Sequence, residues 1–108
     1  MKVLFLCSQN RLRSPTAEAV FCEYPGVDAE SAGLNRGADN PVSGELIGWA
    51  DIIFVMERRH KSKLSKDFKP YLKNSRVITL DIPDDYDYMD AALVKRLKRK
   101  VTRYLVKT

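Results

Sequence analysis

The 108-residue chain predicts one α/β domain spanning residues 1–108, a three-layer sandwich around a parallel sheet. Three observations lead there. Short apolar, β-branched runs alternate with stretches of helical character, the order that builds βαβ units. The first run, Val3-Leu4-Phe5-Leu6, is apolar at consecutive positions, as a strand buried on both faces must be. The last stretch carries Leu93/Val94, Leu97, Val101 and Tyr104/Leu105 at helical spacing, a stripe able to cover one face of a sheet.

Residues 2–6 predict the first strand. From Ser14 a helix is expected to about Glu23 or Tyr24, with Ser14 as N-cap and Pro15 as the first helical residue. Glu18 lies near the positive end of its dipole, and Pro25-Gly26 stops it. Val27 to Ala32 predicts a second, weaker strand. Gly33 opens a polar loop, 34–40, containing Arg36. A short helix follows from near Ser43 to Trp49, interrupted at Gly48, with Trp49 a partly buried anchor. Asp51 to Met56 is the clearest strand and belongs at the sheet's centre. Glu57 to Lys66 reads as a basic surface helix, His60 on its surface, and Pro70 to Leu72 as loop. Arg76 to Leu80 is another strand, Asp81 to Asp90 an acidic, aromatic loop, and Asp90 to Val106 the closing helix.

The net charge of +5 favours anionic ligands, with solubility as the plain alternative. No apolar run reaches the ~20 residues of a membrane span, and the start of the chain lacks a signal-peptide pattern, so a cytoplasmic protein without membrane contact is expected. Two cysteines, Cys7 and Cys22, read as thiols rather than a required bridge. A single His and no Cys/His cluster argue against a metal site.

In such sheets ligands collect at the carboxyl ends of the strands. Cys7 follows the first strand, Glu57-Arg58 the central one and Asp81 to Asp90 the last, so all three belong on one edge. The segment Cys7-Ser8-Gln9-Asn10-Arg11-Leu12-Arg13-Ser14 runs from strand into helix. Backbone N–H groups of such a loop can form an anion nest, and the helix start adds positive potential. That field favours a thiolate at Cys7, placed for in-line attack on phosphorus. Arg13 can grip two phosphoryl oxygens with its planar fork. Ser14 can donate to the Cys7 sulfur, and Asn10 suits a left-handed turn. Turnover further needs an acid for the leaving group and a base for water. Asp84, ahead of Asp85, is the candidate, and neighbouring carboxylates favour retention of a proton. Tyr86 and Tyr88 could wall a ring-bearing substrate, while Arg36 and Arg58 are candidates for the pocket rim.

These residues resemble the low-molecular-weight protein tyrosine phosphatase family. Its signature is a cysteine, five residues, an arginine and a serine or threonine near the N-terminus, usually followed by Pro-Thr-Ala-Glu; here Cys7 to Arg13, Ser14 and Pro15-Thr16-Ala17-Glu18 fill it. Ser31-Ala32-Gly33, the run Ala50 to Glu57, and Asp84-Asp85-Tyr86 are similar to three further family stretches. The resemblance implies a four-stranded parallel sheet with the phosphate-binding loop after the first strand. It implies Cys7 as nucleophile, Arg13 and the loop Ser8 to Ser14 as phosphate ligands, Asp84 as general acid, a phosphocysteine intermediate, and no metal or cofactor. The implied partner is a phosphorylated substrate, a phosphotyrosine protein or small aryl phosphate, met by a monomer. Four departures stand out: Gln9 where the family has glycine, Leu12 where many members carry a second cysteine, Asp85 where it has proline, and a short segment between Gly33 and Asp51. Cys22 on the following helix is expected in the core.

Three rivals are weaker. An arsenate reductase needs further cysteines. The same mechanism on nucleotide or RNA phosphates would use Arg11, Arg36 and the basic final helix, whose charges are otherwise simply solvated. A non-catalytic phosphate-binding module would leave Asp84 without a purpose.

Overall fold

The computed structural model describes residues 1–72 and 75–105. In chain order the elements are β1 (Lys2–Cys7), α1 (Arg13–Phe21), β2 (Asp28–Gly33), α2 (Gly44–Trp49), β3 (Ile52–Val55), α3 (Arg58–Phe68), a 3-10 turn (Lys69–Tyr71), β4 (Arg76–Thr79) and α4 (Ala91–Leu105). The four strands form one sheet in the order β2-β1-β3-β4, every neighbouring pair parallel. The expected α/β architecture with a four-stranded parallel sheet is thus present.

Strand parity divides the core. Val3, Phe5 and Cys7 of β1, with Ile52 and Phe54 of β3, face α1 and α4 and pack with Phe21, Leu93, Leu97 and Val101. Leu4, Leu6, Ile53 and Val55 face the other layer and pack with Ile47 of α2 and Leu64 of α3. Both interior strands therefore need apolar residues at consecutive positions. Phe5 is stacked between Phe21 and Phe54, at 5.6 and 5.2 Å between ring centroids. On α4 the residues at spacing four, Leu93, Leu97, Val101 and Leu105, are the buried ones; the expected end at Val106 lies outside the described residues.

The chain leaves β1 toward β2 on one side and returns through β3 to β4 on the other. The direction of winding switches between β1 and β3, where a crevice opens at the strands' carboxyl ends. The phosphate-loop candidate, Glu57 and the 81–90 loop all issue from that edge.

Several expectations need correction. The first helix begins at Arg13, with Leu12 at the cap position and no side-chain cap bond. Ser14 is inside the helix because its hydroxyl is occupied elsewhere, and Pro15 sits in a first turn whose N–H groups lack partners anyway. Cys22 is an exposed free thiol, not a core residue, because it stands at the last turn of α1 pointing away from the sheet stripe. Gly48 does not interrupt α2, which Ser43 caps by accepting from the Leu46 N–H. The 70–72 segment begins inside the 3-10 turn that prolongs α3.

Gly33, the last residue of β2, is where the 34–43 connection crosses the loop after β1. A Cβ there would stand 2.8 Å from the Ser8 carbonyl oxygen and 2.4 Å from the Ala38 Cβ. Gly33→Ala is therefore expected to destabilise the fold by about 1–3 kcal/mol, the usual range for forced overpacking. Gly48→Ala, whose Cβ would meet nothing within 4 Å, should be neutral or stabilise by up to about 1 kcal/mol. Urea unfolding of both variants separates the two outcomes.

Candidate active site

Building from β1 outward, the loop after Cys7 is turned by its carbonyls. Cys7 O accepts from Leu34 N at 2.9 Å, Ser8 O from Asn35 N at 3.0 Å and Gln9 O from Asp39 N at 3.0 Å. In a trans peptide the following N–H points the opposite way, so the N–H groups of Ser8, Gln9 and Asn10 turn inward. Asn10 takes the left-handed conformation, φ 57°, which asparagine tolerates better than most residues. Gln9 does not adopt a positive φ, so its replacement of glycine costs no backbone strain.

Asn10 also braces the loop through its side chain. Its Nδ2 donates to Ser14 Oγ at 2.9 Å and to Ser31 Oγ at 3.0 Å, and Ser31 in turn donates to Glu18 at 2.5 Å. Ser14 Oγ lies 2.9 Å from Cys7 Sγ. Because Ser14 already accepts from Asn10, its own proton is available to sulfur, and a thiolate at Cys7 can only accept. The polar chain thus runs from the Glu18 carboxylate to the sulfur with every buried member partnered.

Arg13 is 3% exposed. Its Nη1 donates to Glu57 Oε2 at 2.5 Å and to the Ile82 carbonyl at 2.7 Å, and its Nε lies 3.6 Å from Asp84 Oδ1. Among the described residues Nη2 makes no hydrogen bond. Glu57 also accepts from Arg59 Nε at 3.2 Å. The bond from Arg59, and then the bond and charge of Arg13, outweigh burial and hold the Glu57 carboxyl down at about 2.

The acidic loop is pinned on both sides of Asp84. Ile82 is wholly buried and its N–H bonds the Met56 carbonyl. Further on, Arg96 donates to the Tyr86 hydroxyl at 2.8 Å, and the Met89 N–H bonds Thr16 Oγ1. Asp84 itself stays exposed.

Cys7, Ser8, Gln9, Arg11, Leu12, Arg13 and Asp84 line one cavity of about 220 Å³. Asn10 and Ser14 stand behind its wall. Other expected rim residues are elsewhere. Tyr86 packs on the core beside α4 and is held by Arg96, so it is not an aromatic wall. Asp85 is exposed outside the cavity. Arg36 lines a separate groove with Lys63, Lys66 and Asp67, and Arg58 is exposed away from the cavity because its neighbour Arg59 takes the Glu57 carboxylate. The final helix is also less free than expected: Arg96 and Lys100 are tied to Tyr86 and the Leu80 carbonyl.

Two residues were not foreseen. Glu57 was placed on the right edge but not as the partner of Arg13. His60, expected on the surface, is 2% exposed; its Nδ1 accepts the Glu57 N–H at 3.1 Å and its Nε2 lies 3.0 Å from Ser8 Oγ. The Glu-x-x-His spacing at a helix start, a variant of the capping box, is the signal that could have found it. Among the described residues no cluster of three or more His, Cys, Asp or Glu side chains could hold a metal ion, and no helix is long and apolar enough to cross a membrane.

Other solved structures share this fold. The low molecular weight protein tyrosine phosphatase from Bacillus subtilis matches with a TM-score of 0.73 at 23% identity, covering 97% of each chain. The YwlE arginine phosphatase from Geobacillus stearothermophilus matches at 0.68 and 23% identity, over 95% of this chain and 94% of its own. The tyrosine phosphatase Wzb from Escherichia coli K30, solved in complex with phosphate, matches at 0.73 and 19% identity, over 95% and 94%. No protein-family model and no curated protein sequence matches the chain. The chain has the low-molecular-weight protein tyrosine phosphatase fold.

Burial, followed by the charges of Arg13 and Arg59, lowers the His60 pKa from 6.5 to about 4. Between those values the unfolded chain binds a proton that the folded chain refuses. Stability therefore falls as pH drops from 6.5 to about 4, by at most about 3–4 kcal/mol at ~1.4 per unit. Glu57, lowered from 4.5 to about 2, adds a second loss in the same direction: its contribution is complete above 4.5 and disappears as pH falls through about 2. In His60→Gln the upper part of this slope should vanish while the lower part remains, which urea unfolding at a series of pH values reads directly.

Proposed function

We propose that the chain is a cysteine-dependent phosphatase acting on phosphorylated protein, with phosphotyrosine as the preferred group. The observation that supports this reading is the content of one cavity: Cys7, the arginine fork of Arg13 and the carboxylate of Asp84, with the Ser14 hydroxyl 2.9 Å from the sulfur. A binding module has no use for a nucleophile and an acid lining the same anion site.

The Cys7 thiolate attacks phosphorus in line with the ester oxygen, so that S–P forms as P–O breaks. The inward N–H groups and Arg13 hold the equatorial oxygens, where charge builds in the transition state. Protonated Asp84 gives its proton to the departing phenolate oxygen and a phosphocysteine remains. Water then attacks phosphorus, Asp84 takes its proton, and S–P breaks to return thiolate and inorganic phosphate. The Ser14 proton stabilises the sulfur as it leaves. These steps are complete with the side chains of one chain, which we read as an active monomer. A reducing cytoplasm suits them, since the nucleophile must remain the free thiol it is here.

Arg13 has one open edge. Nη1 is committed to Glu57 and Ile82, so a phosphate takes the Nε–Nη2 side, where Asp84 lies 3.6 Å from Nε. An incoming dianion competes with Asp84 for that edge.

The rim bears on the leaving group. Leu12 offers an apolar wall to a ring. Arg11, bridged to Asp39 at 3.3 Å and more than half exposed, disfavours the guanidinium of a phosphoarginine substrate.

Cys7→Ser should abolish turnover of an aryl phosphate while retaining phosphate binding. Asp84→Asn should lower kcat by about a hundredfold or more for poor leaving groups and by much less for good ones. A phosphotyrosine peptide should be turned over faster than a phosphoarginine peptide. Undiminished activity of Cys7→Ser would sink the mechanism, and a loss in Asp85→Asn with none in Asp84→Asn would move the acid by one residue.

A further inference from the structure

We infer that Ser8 is a phosphate ligand through its side chain, and that His60 is the positioning residue that aims it. The inference rests on reading the cavity as a phosphate site, and it adds the Ser8 hydroxyl and His60 to that site's working parts.

The protons on His60 and Ser8 can be counted from their partners. Backbone N–H is a permanent donor, and the Glu57 N–H points at His60 Nδ1 at 3.1 Å. Nδ1 must therefore be the bare nitrogen, and the ring proton sits on Nε2. Nε2 lies 3.0 Å from Ser8 Oγ, so Ser8 accepts there. A serine hydroxyl carries one proton, and this one has no acceptor among the described residues. Ser8 lines the cavity beside Cys7 and Arg13. With one lone pair claimed by His60, the hydroxyl rotor is no longer free, and its proton is presented to whatever oxygen occupies the cavity.

The arrangement holds at neutral pH. His60 is 2% exposed, and burial with the nearby Arg13 and Arg59 charges keeps it neutral down to about pH 4. A cationic ring would need an acceptor at Nδ1, where the Glu57 N–H already stands. The ring therefore stays in the one tautomer that donates to Ser8. It also joins the start of α3, which carries the Glu57 partner of Arg13, to the loop after β1. Two phosphate contacts from the two ends of the loop after β1, Ser8 and Arg13, are thus referenced to the same helix end.

A merely structural histidine would predict otherwise. Filling space at the start of α3 would make His60 matter for stability, independently of the residue at position 8. Aiming Ser8 makes the two residues matter together.

The test is a double-mutant cycle on the full chain, using a small aryl phosphate and inorganic phosphate as a competitive inhibitor. Phosphate binding to the wild type is measured first by calorimetry. Ser8→Ala should lower kcat/KM and weaken phosphate inhibition, each by about tenfold, the size of one hydrogen bond to a charged group. His60→Ala should do the same in the wild-type background, and change either quantity less than about twofold once Ser8 is already alanine. His60→Gln, whose amide can still donate to Ser8, should recover part of the loss. Urea midpoints of every variant keep stability apart from these readings, and Ser8→Ala alone tests the ligand role if His60 variants fold poorly. Equal losses from His60→Ala in both backgrounds would overturn the aiming role, and an unchanged phosphate inhibition constant in Ser8→Ala would overturn the ligand role. No phosphate binding by the wild type would overturn the phosphate-site reading itself together with this inference.

Discussion

A guanidinium removed from water must be paired, and at the carboxyl edge of this sheet much of the local structure follows from pairing Arg13. Its side chain is 3% exposed. Exposed ion pairs contribute little, whereas a buried cation left alone is strongly destabilising. Three segments meet the requirement. The arginine stands at the start of α1, which is carried by the loop after β1. The Glu57 carboxylate comes from the residue after Met56 at the end of β3, and the Ile82 carbonyl comes from just beyond β4. Those segments are brought within reach by the strand order β2-β1-β3-β4. A different order would separate the ends of β1 and β3 and strand the charge. The same pair of bonds therefore closes the fold at its switch point and fixes the orientation of the fork.

The loop below Arg13 depends on a second constraint of the same kind. Its first three carbonyls, of Cys7, Ser8 and Gln9, are engaged by the 34–39 segment, and its braces form two arms from the Asn10 amide, which donates to Ser14 on the way to the Cys7 sulfur and to Ser31 on the way to the acceptor-only Glu18. Each arm works only with its protons pointing away from Asn10. Reversing any hydroxyl would set two donors or two acceptors face to face, and in a buried network that costs a full unsatisfied group. The Asn10 donation to Ser14 is what turns that hydroxyl's proton to the Cys7 sulfur. The short connection after β2 is part of this, since Gly33 lets the 34–39 segment lie against the loop closely enough to take its carbonyls.

How much of this could be read from the chain follows from the range of each interaction. Strands buried on two faces announce themselves in consecutive residues, so Val3 to Leu6 and Ile52 to Val55 were legible, as was the stripe of α4. The loop was legible because Cys7, Asn10, Arg13 and Ser14 lie within eight positions. Contacts that span the chain leave no local trace: Arg13 meets Glu57 across 44 positions and Ser8 meets His60 across 52. Composition misled where a side chain's second function won. Ser14 looks like a cap, yet its hydroxyl is claimed by Asn10 and Cys7. Tyr86 looks like a substrate wall, yet its hydroxyl holds Arg96. Cys22 is apolar enough for a core, yet it stands at the exposed turn where α1 ends. His60 sits among Lys and Arg and looks solvated, yet Glu57 three residues earlier recruits it inward.

In the mechanism we propose, Arg13 and the Ser8–His60 pair divide the work at the same anion. Arg13 supplies charge but has spent Nη1 on the fold, so its remaining edge sets a direction of approach and places Asp84 at that edge. Ser8 supplies no charge, only a directed proton. A rigid donor contributes to catalysis when it is already aimed at the position an oxygen will occupy, since reorganisation then costs nothing at the moment of reaction. Both groups are aimed by atoms on either side of the start of α3: Glu57 holds the fork, and its own backbone N–H fixes the ring that fixes Ser8. The element that has to stay in place for the proposed phosphate site to keep its shape is therefore the end of β3 and the first turn of α3, as well as the loop that carries Cys7.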